Sequence, residues 1–219
     1  MISLAGIMKV DMSYPGLEIS VELTVLREYL SQMDSGIKLL CEEYADNELK
    51  KYDGCEYYEY QHIYRISEHE MPRIIRMPFI VTIYTLFENS VSLLLTYAQG
   101  KENKELALKD INGRTLVSTF NKYMKHVLDF EYEFSNEVAE RFSNLNKVRN
   151  CIAHTNGNLS SLSDKKLEEL KRLSVKMSGL KVRHNELELT TEFLENAMKF
   201  VEINLKELMG YMDSRYGWN

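Results

Sequence analysis

Arg76-Met-Pro-Phe-Ile-Val-Thr-Ile-Tyr-Thr-Leu-Phe-Glu88-Asn-Ser-Val-Ser-Leu-Leu-Leu-Thr-Tyr-Ala-Gln-Gly-Lys101 is the stretch on which the fold turns, because Glu88 is the only formal charge between its ends. By length and apolarity it could nearly span a bilayer. An acid at its middle costs roughly 2.5–3.5 kcal/mol on insertion scales, and Asn89, Ser90, Ser92, Thr96 and Gln99 add polarity. We read the run as a buried central helix against which amphipathic helices pack. Pro78 kinks this helix or sets its effective start, and Gly100 stops it.

On its N-terminal side, Ser67-Glu-His-Glu70 reads as a capping box leading into Pro72, so the central helix is expected to begin there. Further back, Leu23, Leu26, Leu30, Met33, Ile37, Leu40 and Cys41 form an apolar stripe. That spacing predicts a long amphipathic helix over 21–53, bent near Gly36, with a tyrosine-rich stretch from Tyr52 to Tyr64 after it.

On the C-terminal side, Asn112-Gly113 marks a turn, and Leu116, Phe120, Tyr123, Met124 and Val127 predict a shorter helix. Ser135 has the chemistry to cap the next one, in which Val138, Phe142, Leu145, Val148 and Ile152 recur at helical steps until Thr155-Asn-Gly157. Ser163-Asp164 caps a short helix through about Met177. Leu180 to Leu189 alternates around His184-Asn185 and predicts a hairpin. Thr190 or Thr191 then caps a last helix that buries Phe193, Leu194, Met198, Val201, Leu205, Leu208 and Met209. The expected fold is all-α, a helical bundle with one small late β-hairpin, divided as an N-terminal arm (1–20), a single domain (21–214) and a tail (215–219).

The composition limits what this bundle can do. With 33 acidic against 27 basic side chains the net charge is −6, so any nucleic-acid contact must be local, in a basic cleft of the fold or of an oligomer. Cys41, Cys55 and Cys151 are widely spaced and form no C-x-x-C pair, which fits a reducing cytoplasm and neither a disulfide framework nor a zinc site. The first eleven residues lack the basic and apolar regions of a signal peptide. A Gly-rich phosphate loop and G-x-S-x-G are both missing.

The chemistry-bearing run is Arg149-Asn150-Cys151-Ile152-Ala153-His154, at the end of a predicted amphipathic helix and before an Asn-Gly turn. Arg-Asn-x-x-x-His is expected by chance in about one or two of a hundred sequences of this composition. A neutral imidazole can take the proton of a ribose 2′-hydroxyl or protonate a leaving oxygen, because its ordinary pKa lies near neutrality. An arginine fork can stabilise charge on a phosphate, and an asparagine amide can orient the imidazole or hold a phosphate oxygen.

This run, Arg149 to Gly157, resembles the signature of the HEPN-domain family, and the order of helices with a late hairpin resembles a HEPN bundle over about 21–209. The resemblance implies a metal-independent endoribonuclease whose site forms where two motif helices meet in a homodimer, leaving a 2′,3′-cyclic phosphate. His154 would be the acid/base, with Arg149 and Asn150 stabilising the phosphate. It further implies a toxin or antiviral defence effector acting on cellular RNA, without metal, cofactor or membrane, restrained by a partner such as a nucleotidyltransferase-like antitoxin. The alternative is a non-catalytic HEPN-type module that binds nucleotides or proteins.

A helical wheel puts Arg149 near the Val138–Phe142–Leu145 stripe and His154 well away from it. Either the helix loosens before His154 or the two side chains reach a shared cleft from different directions, across a dimer for instance. An arginine on an apolar seam needs a partner, and Glu88 is the candidate. The same residues also admit a reading without chemistry: a buried Arg149–Glu88 pair, a capping Asn150 and a surface His154.

The remaining candidates carry less. Glu59-x-x-His62 has the spacing of a di-iron ligand pair, but no second Glu-x-x-His accompanies it. The tyrosines at 52, 57, 58, 60 and 64 are few in basic neighbours and read as packing rather than an RNA platform. Cys151 reads as a small buried thiol, and Lys165-Lys166 and Lys171-Arg172 as a solvated helix face that could border an RNA path.

Overall fold

Apolar residues at three- and four-residue steps dominate the chain, and the computed structural model, which describes residues 11–217, is accordingly helical through most of its length. Its α-helices are α1 (Gly16–Leu49), α2 (Tyr57–Arg65), α3 (Met71–Lys101), α4 (Leu116–His126), α5 (Asn136–Thr155), α6 (Asp164–Lys176) and α7 (Thr191–Tyr216). Strands β1 (Leu180–Arg183) and β2 (Glu186–Leu189) form one antiparallel hairpin between α6 and α7. The fold is all-α with a late β-hairpin, as the periodicity predicts. Of the expected arm and tail, residues 1–10 and 218–219 lie outside the described residues. The rest is helical where an arm was expected, from Gly16 on, and α7 continues to Tyr216.

The described residues group into two compact units, one of 11–24, 84–146 and 199–217, the other of 25–83 and 147–198. The first has an aromatic core. Phe87 and Phe142 stack with ring centres 3.6 Å apart, and Phe120, Phe134 and Phe200 close around them. Val91, Leu94, Leu95 and Ala98, from the opening run, are wholly buried there. The segment Tyr57–Lys101 contains a window long and apolar enough to cross a membrane by length and composition, and 56% of that window is buried within the protein.

In the second unit Leu30, Met33 and Ile37 of α1 are buried, but Leu40, expected on the same stripe, is 50% exposed. Helix α1 runs through Gly36 without interruption. The predicted capping box at Ser67 is also corrected. Helix α2 passes into α3 through a π-helical turn, Ile66–Glu70, in which Met71 N–H bonds to the Ile66 carbonyl, and Ser67 Oγ donates to the Tyr64 carbonyl at 3.4 Å. Pro72 explains the wider turn: with no N–H to give and a ring that crowds the carbonyl four residues back, it is accommodated by a shift to i→i−5 bonding. Pro78 sits inside α3, which continues past it.

Other boundaries follow their local chemistry. Ser135 Oγ accepts from Val138 N–H at 3.2 Å, Thr190 Oγ1 accepts from Phe193 N–H at 3.3 Å, and the hairpin turn places His184 and Asn185 at positive φ (46° and 60°).

Candidate functional site

The motif occupies the last two turns of α5. Val148, Cys151 and Ile152 are buried, which fixes the helix's rotation and leaves Asn150 and His154, one turn apart, on a neighbouring face. That face opens on a pocket of about 290 Å³ between α5 and α6. Lys147, Asn150 and His154 line it from α5, and Lys166, Glu169 and Leu170 from α6. Among the described residues, no hydrogen bond reaches the His154 ring, and neither Lys147 nor Lys166 takes part in an ion pair.

Arg149 is not on this lining. Helix α5 stays regular to Thr155, so it does not loosen before His154, and Arg149 and His154 keep separate faces. The link between them is Asn150. Arg149 Nη1 donates to Asn150 Oδ1 at 2.8 Å, which engages the amide oxygen and leaves the NH₂ as the donor Asn150 has to offer. Glu88 is half-buried on α3 in the other unit, where Ser92 Oγ donates to its backbone carbonyl at 2.7 Å; its pairing with Arg149 stays an expectation from sequence.

The end of α5 is held by the hairpin. Asn156 and Gly157 take positive φ (51° and 75°), reversing the chain immediately after Thr155. Leu187 N–H then bonds to the Gly157 carbonyl and Leu159 N–H to the Asn185 carbonyl, both at 2.8 Å. Arg73 reinforces the turn: Nη1 donates to the Asn156 carbonyl at 3.4 Å, and Nη2 lies 3.0 Å from Glu70 and 3.3 Å from Glu186. Its side chain is only 10% exposed, so these acceptors balance a largely desolvated charge.

Burial pushes the Cys151 thiol up from its ordinary pKa, a shift only partly offset by the Thr155 hydroxyl 3.6 Å away. A protonated, buried thiol is no nucleophile. Glu59 accepts from the Glu56 N–H at 2.9 Å and starts α2, and His62 packs edge-on against Tyr52, so both members of the Glu-x-x-His pair have structural work. No cluster of three metal-ligating side chains occurs among the described residues. The tyrosines at 52, 57, 60 and 64 pack on one another.

Sequence reading missed Lys147 and Arg73. Lys147 was within reach of it, since positions 147, 150 and 154 share a helical face. Arg73 was not, because two of its partners, Asn156 and Glu186, lie far along the chain. Compared with protein-family models, curated proteins and solved structures, the chain matches none.

Proposed function

We propose that this protein is a metal-independent endoribonuclease of the HEPN type, with His154 as its acid/base. The observation that carries the reading is the pocket that Asn150 and His154 share, with Arg149 held to Asn150 behind it. In the reaction, His154 removes the proton of a ribose 2′-hydroxyl, and the freed oxygen attacks the adjacent phosphorus. The bond from phosphorus to the 5′-oxygen breaks, a 2′,3′-cyclic phosphate remains, and the leaving oxygen takes a proton. The Asn150 NH₂ is a neutral donor to a phosphate oxygen, and Arg149 orients and polarises that amide.

A single His154 cannot both take and give a proton at once, so the site is proposed to be composite: the motif helices of two copies meet, and the second His154 protonates the leaving oxygen. A cytoplasmic toxin or defence effector restrained by a nucleotidyltransferase-like partner follows from the same resemblance. A second reading, a nucleotide- or protein-binding module without cleavage, is favoured by one observation: nothing among the described residues orients the imidazole of the single chain.

Purified protein incubated with RNA in EDTA separates the two. Cleavage that leaves cyclic-phosphate ends and disappears with His154→Ala supports the nuclease. Cleavage unchanged by His154→Ala, or abolished by EDTA, overturns it.

A further inference from the structure

We propose that the tyrosine face of α2 is a docking surface for an arginine-bearing segment of a partner protein. This surface stands apart from the pocket between α5 and α6 and does not depend on the ribonuclease reading. Helix α2 is anchored through Ile63, which is fully buried. Tyr57, Tyr60 and Tyr64, three and four residues apart, share another face of the helix. Their ring centres lie 5.5 to 6.4 Å from one another, and Tyr52, from the 3₁₀ turn Lys50–Tyr52, packs on Tyr60 at 6.5 Å. Tyr52, Tyr60 and Tyr64 are half-buried, whereas Tyr57 is 60% exposed and Tyr58 beside it 70%. Rings that hold one another in place and keep open faces offer contact area at little cost in side-chain freedom.

Charge identifies the occupant. Between residues 42 and 59 the chain has seven acidic side chains and two lysines, a net −5 in a chain of −6 overall. Asp53, Glu56 and Glu59 belong to the turn before α2 and its first turn, among the tyrosines. Elsewhere in this protein aromatic rings are covered by its own cations: Lys101 lies over Tyr97, Arg141 over Phe200 and Arg215 over Phe130. Among the described residues no cation lies over Tyr52, Tyr57, Tyr58, Tyr60 or Tyr64. The nearby cations are engaged otherwise, Lys50 with Asn47, Lys51 with Glu48 and Arg65 with Glu70. Ring faces attract a cation, and a rim of carboxylates adds to that attraction. A guanidinium suits both, because it is planar, weakly hydrated, stacks on a ring and forks onto a carboxylate. A nucleic-acid strand also stacks on aromatic rings, but the same local charge repels its phosphates.

The test titrates the full chain, at low salt, into a fluorescently labelled synthetic peptide of alternating arginine and glycine and follows anisotropy. Tyr57→Leu keeps an exposed apolar side chain but removes the ring face, and should weaken binding about two- to fivefold. Asp53→Asn combined with Glu56→Gln should weaken it about three- to tenfold and flatten its salt dependence. The charge-matched pair Glu105→Gln and Glu133→Gln, both exposed in the other unit, should leave binding unchanged. Lysine in place of arginine in the peptide should cost about two- to fivefold. Thermal unfolding of every variant should match wild type, because the replaced side chains are all exposed. Binding that ignores Tyr57→Leu, or that falls as much with the control pair, overturns the inference. A peptide with leucine in place of arginine that binds equally well would give the face to an apolar partner. Self-association abolished by Tyr57→Leu would give it to a second copy, and a labelled RNA strand released by Tyr57→Leu would give it to RNA; each of these results also overturns the inference.

Discussion

Replacing Gly157 by alanine should destabilise the protein by about 2–4 kcal/mol, and the structure gives two separable reasons. Gly157 has φ of +75°, a conformation that costs an L-residue roughly 1–2 kcal/mol. An added Cβ would also stand 2.6 Å from Met77 Cε and 3.1 Å from its Sδ, with the Leu187 carbonyl oxygen at 3.4 Å. Met77 is fully buried, so its methyl can move only by disturbing its neighbours; overpacking of this kind costs about 1–3 kcal/mol, at the low end for a flexible thioether. Urea unfolding should show a lower midpoint with an unchanged slope. A double-mutant cycle with Met77→Ala should recover only the contact part, about 1 kcal/mol, and leave the backbone part in place. A loss below about 0.5 kcal/mol for Gly157→Ala would refute both the turn geometry and the close approach of α3 to it.

Gly36 presents the opposite case: it is in the interior of α1 with nothing within 4 Å of an added Cβ, so Gly36→Ala should stabilise by about 0.5–1 kcal/mol in the same unfolding assay. Arg73→Ala leaves Glu70, Glu186 and the Asn156 carbonyl without their shared donor, and should cost about 2–4 kcal/mol; hydrogen exchange should show the amides of Leu187 and Leu159 losing protection first. The Arg73 guanidinium holds the Glu70 carboxyl below the usual glutamate range, against a smaller opposing effect of burial. A carboxyl lowered by folding stabilises the protein above its unfolded pKa, and that contribution disappears as pH falls through the folded value. Glu70→Gln should therefore be less stable than wild type at pH 7, and the two should converge as pH falls through the lowered folded-state value, as measured by thermal unfolding across the acid range.

The parts of the fold legible in the sequence are those set by neighbours along the chain. The hairpin turn at His184-Asn185 and the caps at Ser135 and Thr190 each depend on residues within four positions, and all occur where the sequence places them; the end of α5 also falls at the Asn156-Gly157 turn, although the hairpin and Arg73 hold it. Ser67-Glu-His-Glu70 fails for an instructive reason. Its letters satisfy a capping box, but Glu70 bonds to Arg73 at 3.0 Å, and Arg73 in turn reaches residues 156 and 186. Distant partners and the demands of Pro72 decide the backbone there. The exposed Leu40 has a similar cause: a helical stripe predicts which way a side chain points, whereas burial depends on whether another element arrives to cover it. For the site, the shared face of Asn150 and His154 is readable from their spacing, and the arrival of Lys166 from α6 is not.

Positions 149 and 154 are five residues apart, about 140° around an α-helix, and α5 keeps its regular form to Thr155. Within one chain, then, the arginine does not stand beside the histidine. Asn150 joins them, since it accepts from Arg149 at 2.8 Å and shares the pocket with His154. A guanidinium keeps its charge near neutral pH, so it polarises the amide there. On this reading Arg149 is a positioning residue. Arg149→Lys, which keeps the charge but loses the planar fork, would then cost more in kcat than in KM, and Asn150→Ala would make the identity of residue 149 nearly irrelevant to the rate. Additive losses from Arg149→Lys and Asn150→Ala would instead place the guanidinium directly on the substrate, as it would be if the partner copy's pocket received it.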